Sequence, residues 1–483
     1  MDREKRCDGE VCLNSIKNAF LTDDSTKRGA CFSNEGRRAT SLSQSHHQPL
    51  LFDAKYPLTS KNSPYTSMHR KQYLITKRQK GKEEYMKYPD LSFEPFFTWA
   101  NRPRVMYKAG VRNELGFEME KLGGTKVVLY TDKGLVQAGV AEMVIEAIKD
   151  SSLELVGVYD KIVQDARLDL INEGAAFYRK SGADCMVVVG GGSVMDTAKA
   201  INILIGGGLD DFSPLAEQVG LFEGAKPLPP HMAFPTTAGT GAEVTFAMVV
   251  LNDVDKVKVA CAHPYCNADI AMLDPELTVK LPPKITAFTA MDAMTHAIEA
   301  ITTVSANPIS DGLGLHAVRL ITKYLPEVMK NPENVEARGY LLIASTMAGM
   351  SFINAFTGGV HATAHALGAL YGIPHGLANS IMLPHVMTYN LEENPARFVL
   401  IADAMGMNIV DLTPEEAARV AVQAVKDLQK AVGLTQTLKD FDVPDDREAL
   451  QPLLDAAMGD SQLPYNPRDL EEDDVYNLYL KAR

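Results

Sequence analysis

Long apolar runs are missing from this 483-residue chain. No stretch approaches the roughly 18 apolar residues of a membrane-spanning helix, and the amino terminus lacks the apolar core of a secretory signal. The expectation is a cytoplasmic protein with no membrane partner. Cysteine is scarce: Cys7, Cys12, Cys31, Cys185, Cys261 and Cys266 make no disulfide framework for a chain this long. Cys261 and Cys266 flank His263 in CAHPYC, but no second cysteine pair follows to complete a metal knuckle, which leaves reduced thiols. Positive charge is also short. The net charge is −13, and residues 1–85 hold 16 Lys and Arg against 10 Asp and Glu, so the remaining body is more acidic still. Such a body argues against nucleic acid as a partner.

Residues 1–85 lack the periodicity of a domain. STKRGACFSNEGRRATSLSQSHHQP is polar and aperiodic, and KRQKGKEE is a run of charge. This reads as a disordered extension, or as a stretch upstream of a true start at Met86. From about Tyr88 strands and helices alternate. KVVLYTD (126–132), LELVGVYD (153–160) and CMVVVG (185–190) read as buried strands, with helical segments between and after them. That order predicts a parallel sheet covered on both faces, a Rossmann-like α/β domain over 86–280. Beyond LPPKI (281–285) the β-branched runs stop, and 281–483 reads as all-helical. In LTPEEAARVAVQAVKDLQKAVG, Thr413, Pro414 and Glu416 form a helix start and Gly433 a stop. A ligand cleft between the two domains is expected.

Two loops carry glycine and threonine where a nucleotide would need them. VVVGGGSVMDTAK (187–199) runs from a strand into a helix, and Gly190, Gly191 and Gly192 put no Cβ in a ligand's way. Ser193 with Asp196 suggests a capped helix start, whose free N–H groups suit a pyrophosphate. AFPTTAGTGAEVT (233–245) offers Thr236, Thr237 and Thr240 to phosphate or ribose. Asp132, ending the first strand, suits ribose hydroxyls and repels a 2′-phosphate, which favours NAD over NADP.

Histidine is rare and unevenly spread. Six of the 11 lie between His296 and His385. Asp292 and His296 are i and i+4 on a helix, as are His361 and His365, and His375 follows Pro374 in the turn that ends the second of these helices. Convergence of one carboxylate with imidazoles among Ala and Gly suits Fe²⁺, Zn²⁺, Mn²⁺ or Co²⁺.

Together, GGGSxxDxxK (Gly190–Lys199), PTTAGTG (Pro235–Gly241), DAxTHAIE (Asp292–Glu299) and HxxxHxLGxxYxxPHGxAN (His361–Asn379) resemble the iron-containing alcohol dehydrogenase family, in its order and spacing, over about 86–483. The resemblance implies the fold shared with dehydroquinate synthase. It also implies a metal, iron or alternatively zinc, on Asp292, His296, His361 and His375. By the same resemblance His365 relays a proton near the nicotinamide. Cofactor contacts fall on Asp132, Gly191, Gly192, Ser193, Thr236, Thr237, Thr240 and Lys258, and the motif adds Asp196 and Lys199. The implied reaction is reversible hydride transfer between NAD and a small primary alcohol or diol, in a homodimer or larger assembly. Two rival readings remain: a hydroxyacid–oxoacid transhydrogenase on the same fold, and a silent metal- or nucleotide-binding regulator. DKIVQDARLD (160–169) departs from the family pattern, which carries a Pro-Asn-Pro turn there.

Overall fold

The computed structural model describes residues 97–100, 102–216, 220–221, 227–252 and 257–483. The expected extension 1–85 therefore lies outside the described residues. The first half holds the strands β1 (Arg104–Tyr107), β2 (Lys126–Asp132), β3 (Glu154–Ile162), β4 (Ala166–Arg167), β5 (Cys185–Gly190), β6 (Gly220–Leu221), β7 (His231–Pro235), β8 (Ala247–Asn252), β9 (Val257–Ala262) and β10 (Ile270–Leu273). Among them run helices α1 (Leu115–Lys121), α2 (Lys133–Gln137), α3 (Val140–Lys149), α4 (Leu168–Ser181), α5 (Gly192–Gly207) and α6 (Ser213–Ala216). The second half is helical: α7 (Pro283–Thr302), α8 (Pro308–Lys330), α9 (Val335–Ala355), α10 (Gly359–Tyr371), α11 (His375–Asn390), α12 (Pro395–Ala404), α13 (Pro414–Ala431), α14 (Arg447–Met458) and α15 (Glu472–Ala482).

The main sheet is parallel, in the order β1-β10-β7-β5-β2-β3. Its central strands β2 and β5 are continuous apolar runs because helices cover both of their faces. From β2 the chain steps outward to β3, then returns to β5 and on to β7, so a topological switch lies between β2 and β5. At such a point the strands' carboxyl ends open a crevice. Register aligns Gly190 with Pro235 and ties the Thr236 N–H to the Gly190 carbonyl at 3.0 Å. Both glycine–threonine loops thus leave the sheet side by side. A second sheet, β4-β8-β9-β6 with β8 and β9 antiparallel, was not legible in the sequence.

In the helical half, α7 is buried on nearly every side, with Ala290, Met291, Met294, Ala297, Ile298 and Ile301 at its core. A helix enclosed all round carries no polar face to mark its orientation. The expected start of α13 forms: the Thr413 hydroxyl accepts from the Glu416 N–H, and the Glu416 carboxylate accepts from the Thr413 N–H. No single described helix is long and apolar enough to cross a membrane; α9 and α10 pass such a test only together, bent by 105°.

The halves meet through the second loop. A Cβ on Gly241 would sit 2.7 Å from the Gly349 Cα in α9, and one on Gly239 would sit 2.9 Å from the Thr289 Cβ in α7. Close backbone approach is what glycine supplies here. Behind this contact the buried Glu243 carboxylate accepts from the Thr346 hydroxyl at 2.7 Å.

Candidate metal centre and cofactor cradle

Asp292 and His296 lie one turn apart on α7, His361 lies in the first turn of α10, and His375 opens α11. One donor atom from each falls within 4.8 Å of all the others. His375 is therefore not in a turn: α10 ends at Tyr371, Gly372 takes a left-handed conformation, and Pro374 caps the next helix. Gly372, not the proline, stops the first helix, and Pro374 two residues later starts the next. The neighbouring Gly376 lets α11 approach α7, since a Cβ there would lie 2.4 Å from the Phe288 carbonyl.

The donors fit a cation. The Asn379 amide Nδ2 sits 2.7 Å from Asp292 Oδ1 and 3.1 Å from the Nε2 atoms of both His361 and His375. Three acceptor lone pairs thus converge on one positively polarised nitrogen with only two hydrogens to share. His296 Nδ1 and Asn379 Oδ1 are buried without a hydrogen-bond partner, an arrangement that is costly without a ligand. Burial, and after it the neighbouring His296, His375 and His365, push the His361 imidazole well below its usual pKa. Burial likewise lowers His296, with Asp292 opposing. Neutral rings are the ones that offer lone pairs to a metal. Three nitrogens and a carboxylate oxygen suit a divalent ion such as iron or zinc.

Partners behind the ligands escaped the sequence reading. Glu299, on the same face of α7 one turn beyond His296, contacts His361 Nδ1 through one oxygen and accepts from the Val360 N–H at 2.7 Å through the other. Burial pushes its carboxyl up to about 8, against the backbone donors of Val360, His361 and Gly358, and the charge of a cation held at the cluster would favour the ionised form that accepts from Nδ1. With Nδ1 turned to Glu299, His361 directs Nε2 at the cluster. The His296 ring is stacked between Phe352 at 4.3 Å and His361 at 4.6 Å. The spacing of Asp292, His296 and Glu299 was a usable signal for Glu299, as His375 and Asn379 at i, i+4 were for Asn379.

His365 stands one turn along α10 from His361, outside the ligand cluster. Its ring stacks on His375 at 5.3 Å, and its Nδ1 lies 2.8 Å from Asp460 Oδ2. Burial works against the Asp460 charge, but His365 and the Gln462 N–H outweigh it and hold the carboxyl below its usual range. No sequence signal links Asp460 to a histidine 95 positions away.

At the sheet edge the two loops form one cradle. A Cβ on Gly191 would lie 3.2 Å from the Thr237 side chain, and one on Gly192 would lie 2.7 Å from Thr240. The glycines therefore admit the second loop. Helix α5 begins at Gly192 with Gly191 as its cap, so the expected cap by Ser193 does not form: Ser193 is already inside the first turn. Its Oγ instead accepts from the Asp165 N–H at 3.2 Å, within the departing 160–169 segment. Asp196 accepts from the Val249 N–H at 3.0 Å, and buried Lys199 donates to Thr245 Oγ1 and the Ala247 carbonyl. Both side chains serve to anchor α5 to the strand β8. Asp132 caps α2 by accepting from the Leu135 N–H at 2.9 Å, at the carboxyl end of β2. Thr236 is buried, while Thr237 and Thr240 are half-buried. Lys258 lies on β9, with its side chain outside the described residues. The cradle reaches the helix of the cluster directly, because Gly239 of the second loop packs against Thr289 on α7, less than one turn before Asp292.

Comparison with known proteins agrees with this geometry. The model for iron-containing alcohol dehydrogenase matches residues 102–275, and that for the C-terminal part of the Fe-containing alcohol dehydrogenase family matches 286–483. The chain is 37% identical over 371 residues to a 1,3-propanediol dehydrogenase of Klebsiella pneumoniae, spanning 76% of this chain and 94% of that protein. It is 33% identical over 382 residues to an NAD-dependent methanol dehydrogenase of Bacillus methanolicus, spanning 79% and 98%. The crystal structure of a 1,3-propanediol oxidoreductase superposes with a TM-score of 0.77 at 34% identity, covering 80% of this chain and all of that one. With both halves matched and the ligand cluster formed where they meet, the chain belongs to the iron-containing alcohol dehydrogenase family.

Proposed function

We propose that the protein is an NAD(H)-dependent dehydrogenase that interconverts a small primary alcohol or diol with its aldehyde. Residues 86–280 carry the cofactor and 281–483 the metal. The reading rests on one observation above all: the close approach of Gly239 to Thr289 on α7, which brings the loop that would cradle a dinucleotide against the helix that carries Asp292 and His296 of the cluster that would hold an ion. Asp292, His296, His361 and His375 would hold iron, or zinc in its place. When bound, the metal supplies Lewis-acid polarisation of the substrate oxygen and NAD accepts or returns hydride.

The chain's own groups do the rest. Glu299 keeps the His361 lone pair directed at the cluster, and Gly376 holds His375 within reach of Asp292. Asp132 marks the end of the cradle with negative charge, which favours NAD over a 2′-phosphorylated cofactor. His365, half-buried beside His375, takes up the alcohol proton and releases it to solvent.

The test is to strip metal from the full chain and restore Fe²⁺ or Zn²⁺ without oxygen. NADH consumption with short-chain aldehydes is then followed beside a His361→Ala variant. Turnover that returns with metal and vanishes in the variant is expected. Hydride exchange between a hydroxyacid and a 2-oxoacid, without use of free NADH, would replace this reading with a transhydrogenase. Tight binding of metal and NADH with neither reaction would leave a binding protein.

A further inference from the structure

The segment 460–466 (DSQLPYN) lies almost 100 residues beyond the histidine helix α10 and holds that helix at several points. At its near end, Asp460 takes His365 Nδ1 at 2.8 Å. Gln462 Oε1 then accepts from the Thr357 hydroxyl at 3.0 Å. The Tyr465 ring stacks on Phe356 at 4.1 Å. Asn466 Oδ1 accepts from the Gly359 N–H at 3.1 Å, where α10 has no side-chain cap of its own.

Phe356 shows that these contacts do work. Its φ of 65° with ψ of 178° lies in a region that suits glycine and costs other residues about 1–3 kcal/mol. A side chain stays there only when its surroundings hold it, and Tyr465 is the stacked partner. The segment thus fixes the start of α10, and with it the direction in which His361 and His365 leave the helix.

Resting on the dehydrogenase reading, we propose that Asp460 is a positioning residue that fixes the orientation and the tautomer of the His365 ring. Its carboxylate holds the ring as the Nδ1–H tautomer, so Nε2 carries the lone pair. During alcohol oxidation Nε2 gains the proton that the substrate O–H loses, while the hydride goes to NAD⁺. The imidazolium keeps its Nδ1–H on Asp460 and later loses the Nε2 proton to water. The charge that appears on the ring is met by a carboxylate already in place. In aldehyde reduction the same steps run in reverse.

The test compares Asp460→Asn and Asp460→Glu with the wild-type full chain loaded with Zn²⁺. An asparagine turned to donate at Nδ1 favours the opposite tautomer. Asp460→Asn should lower kcat by about 10- to 100-fold, the usual scale for such partners, with KM and zinc per chain unchanged. Asp460→Glu should recover most of the loss. NMR of histidine-labelled protein gives a readout independent of turnover. The His365 nitrogens, assigned by their loss in His365→Gln, should show Nδ1–H in the wild type and Nε2–H in Asp460→Asn.

Wild-type kcat in Asp460→Asn, loss of zinc from it, or an Nε2–H signal in the wild type would each overturn the proposal. If neither variant folds, the wild-type spectrum alone decides. If the wild type turns over no carbonyl, the dehydrogenase reading fails, while the spectrum still shows whether Asp460 sets the tautomer.

Discussion

The candidate cofactor cradle is made mostly of backbone, whereas the candidate metal centre is made mostly of side chains. At the sheet edge Gly191 and Gly192 meet Thr237 and Thr240 with little room for a Cβ between them, and the larger polar residues nearby, Asp196 and Lys199, are spent on anchoring α5. Around Asp292 the chemistry sits in buried polar side chains, each backed by another: Glu299 behind His361, Asn379 among three ligands, Asp460 behind His365. A backbone site should tolerate changes of functional group and fail when volume is added. A side-chain site should fail on a change of a single atom, provided its helices stay in place.

Two glycine substitutions break this comparison most sharply, and the first gives the largest effect. Gly376→Ala puts a Cβ 2.4 Å from a backbone carbonyl that cannot rotate away, so α11 must move and carry His375 with it. Metal per chain should fall and turnover drop by about 100-fold, the cost of roughly an ångström of misplacement, with NADH binding kept. Gly192→Ala meets Thr240 instead and should weaken NADH by about tenfold, near 1.4 kcal/mol, with metal per chain unchanged. Metal analysis and NADH titration on both variants check this. Loss of both ligands in either variant would show that the two sites are not separable.

The same contrast explains what the sequence made legible. Glycine spacing marked the two loops that the sheet brings side by side, and the pairs Asp292–His296 and His361–His365 marked the cluster of donors that three helices bring together. The alternation of strands from β2 to β5 was readable as well. The partners were harder. Glu299 and Asn379 lay inside the quoted motifs at helical spacing from a cluster residue, but only the packing of α7, α10 and α11 gives them a role. Asp460 and Tyr465 reach the site only through the packing of the last helices. Ser193 misled because serine before a helix usually caps it, while a third glycine had already started this one. The second sheet was missed because β4 and β6 are two residues each, too short for any periodicity.

A smaller effect sharpens the side-chain half of the contrast. In Glu299→Gln the oxygen facing Val360 can stay, but the group facing His361 Nδ1 can become a donor and favour the wrong tautomer. Metal affinity should fall by about 10- to 100-fold with little change in melting temperature, since volume and the backbone hydrogen bond are kept. Competition with a chelator measures the first and thermal unfolding the second. Unchanged metal affinity would reduce Glu299 to a cap for the start of α10.

The smallest effect at neutral pH lies in the α/β half, away from either site. His231 starts β7, pairs in register with Met186, and is buried with neither ring nitrogen hydrogen-bonded. Burial, with the charge of Lys199 behind it, pushes the ring down to about 3. The unfolded chain takes up this proton near its ordinary value of 6.5, and the folded chain only near 3. Between those values the unfolded state holds more protons, so stability falls as pH is lowered, by about 1.4 kcal/mol per pH unit for this one group. Replacing His231 with Leu should leave stability at pH 8 unchanged or raised, because a buried ring without partners is exchanged for an apolar group of similar size. Below pH 6.5 the variant should lose stability more slowly than the parent, and the gap should widen steadily toward pH 4. His263 and His385, both pushed down to about 4 by burial, are present in parent and variant alike and cancel in the difference. Denaturant unfolding of the two proteins across this range gives the comparison directly. Parallel curves would mean that the ring finds a proton or a partner inside the fold, and that the core beneath the cradle is less apolar than its strands.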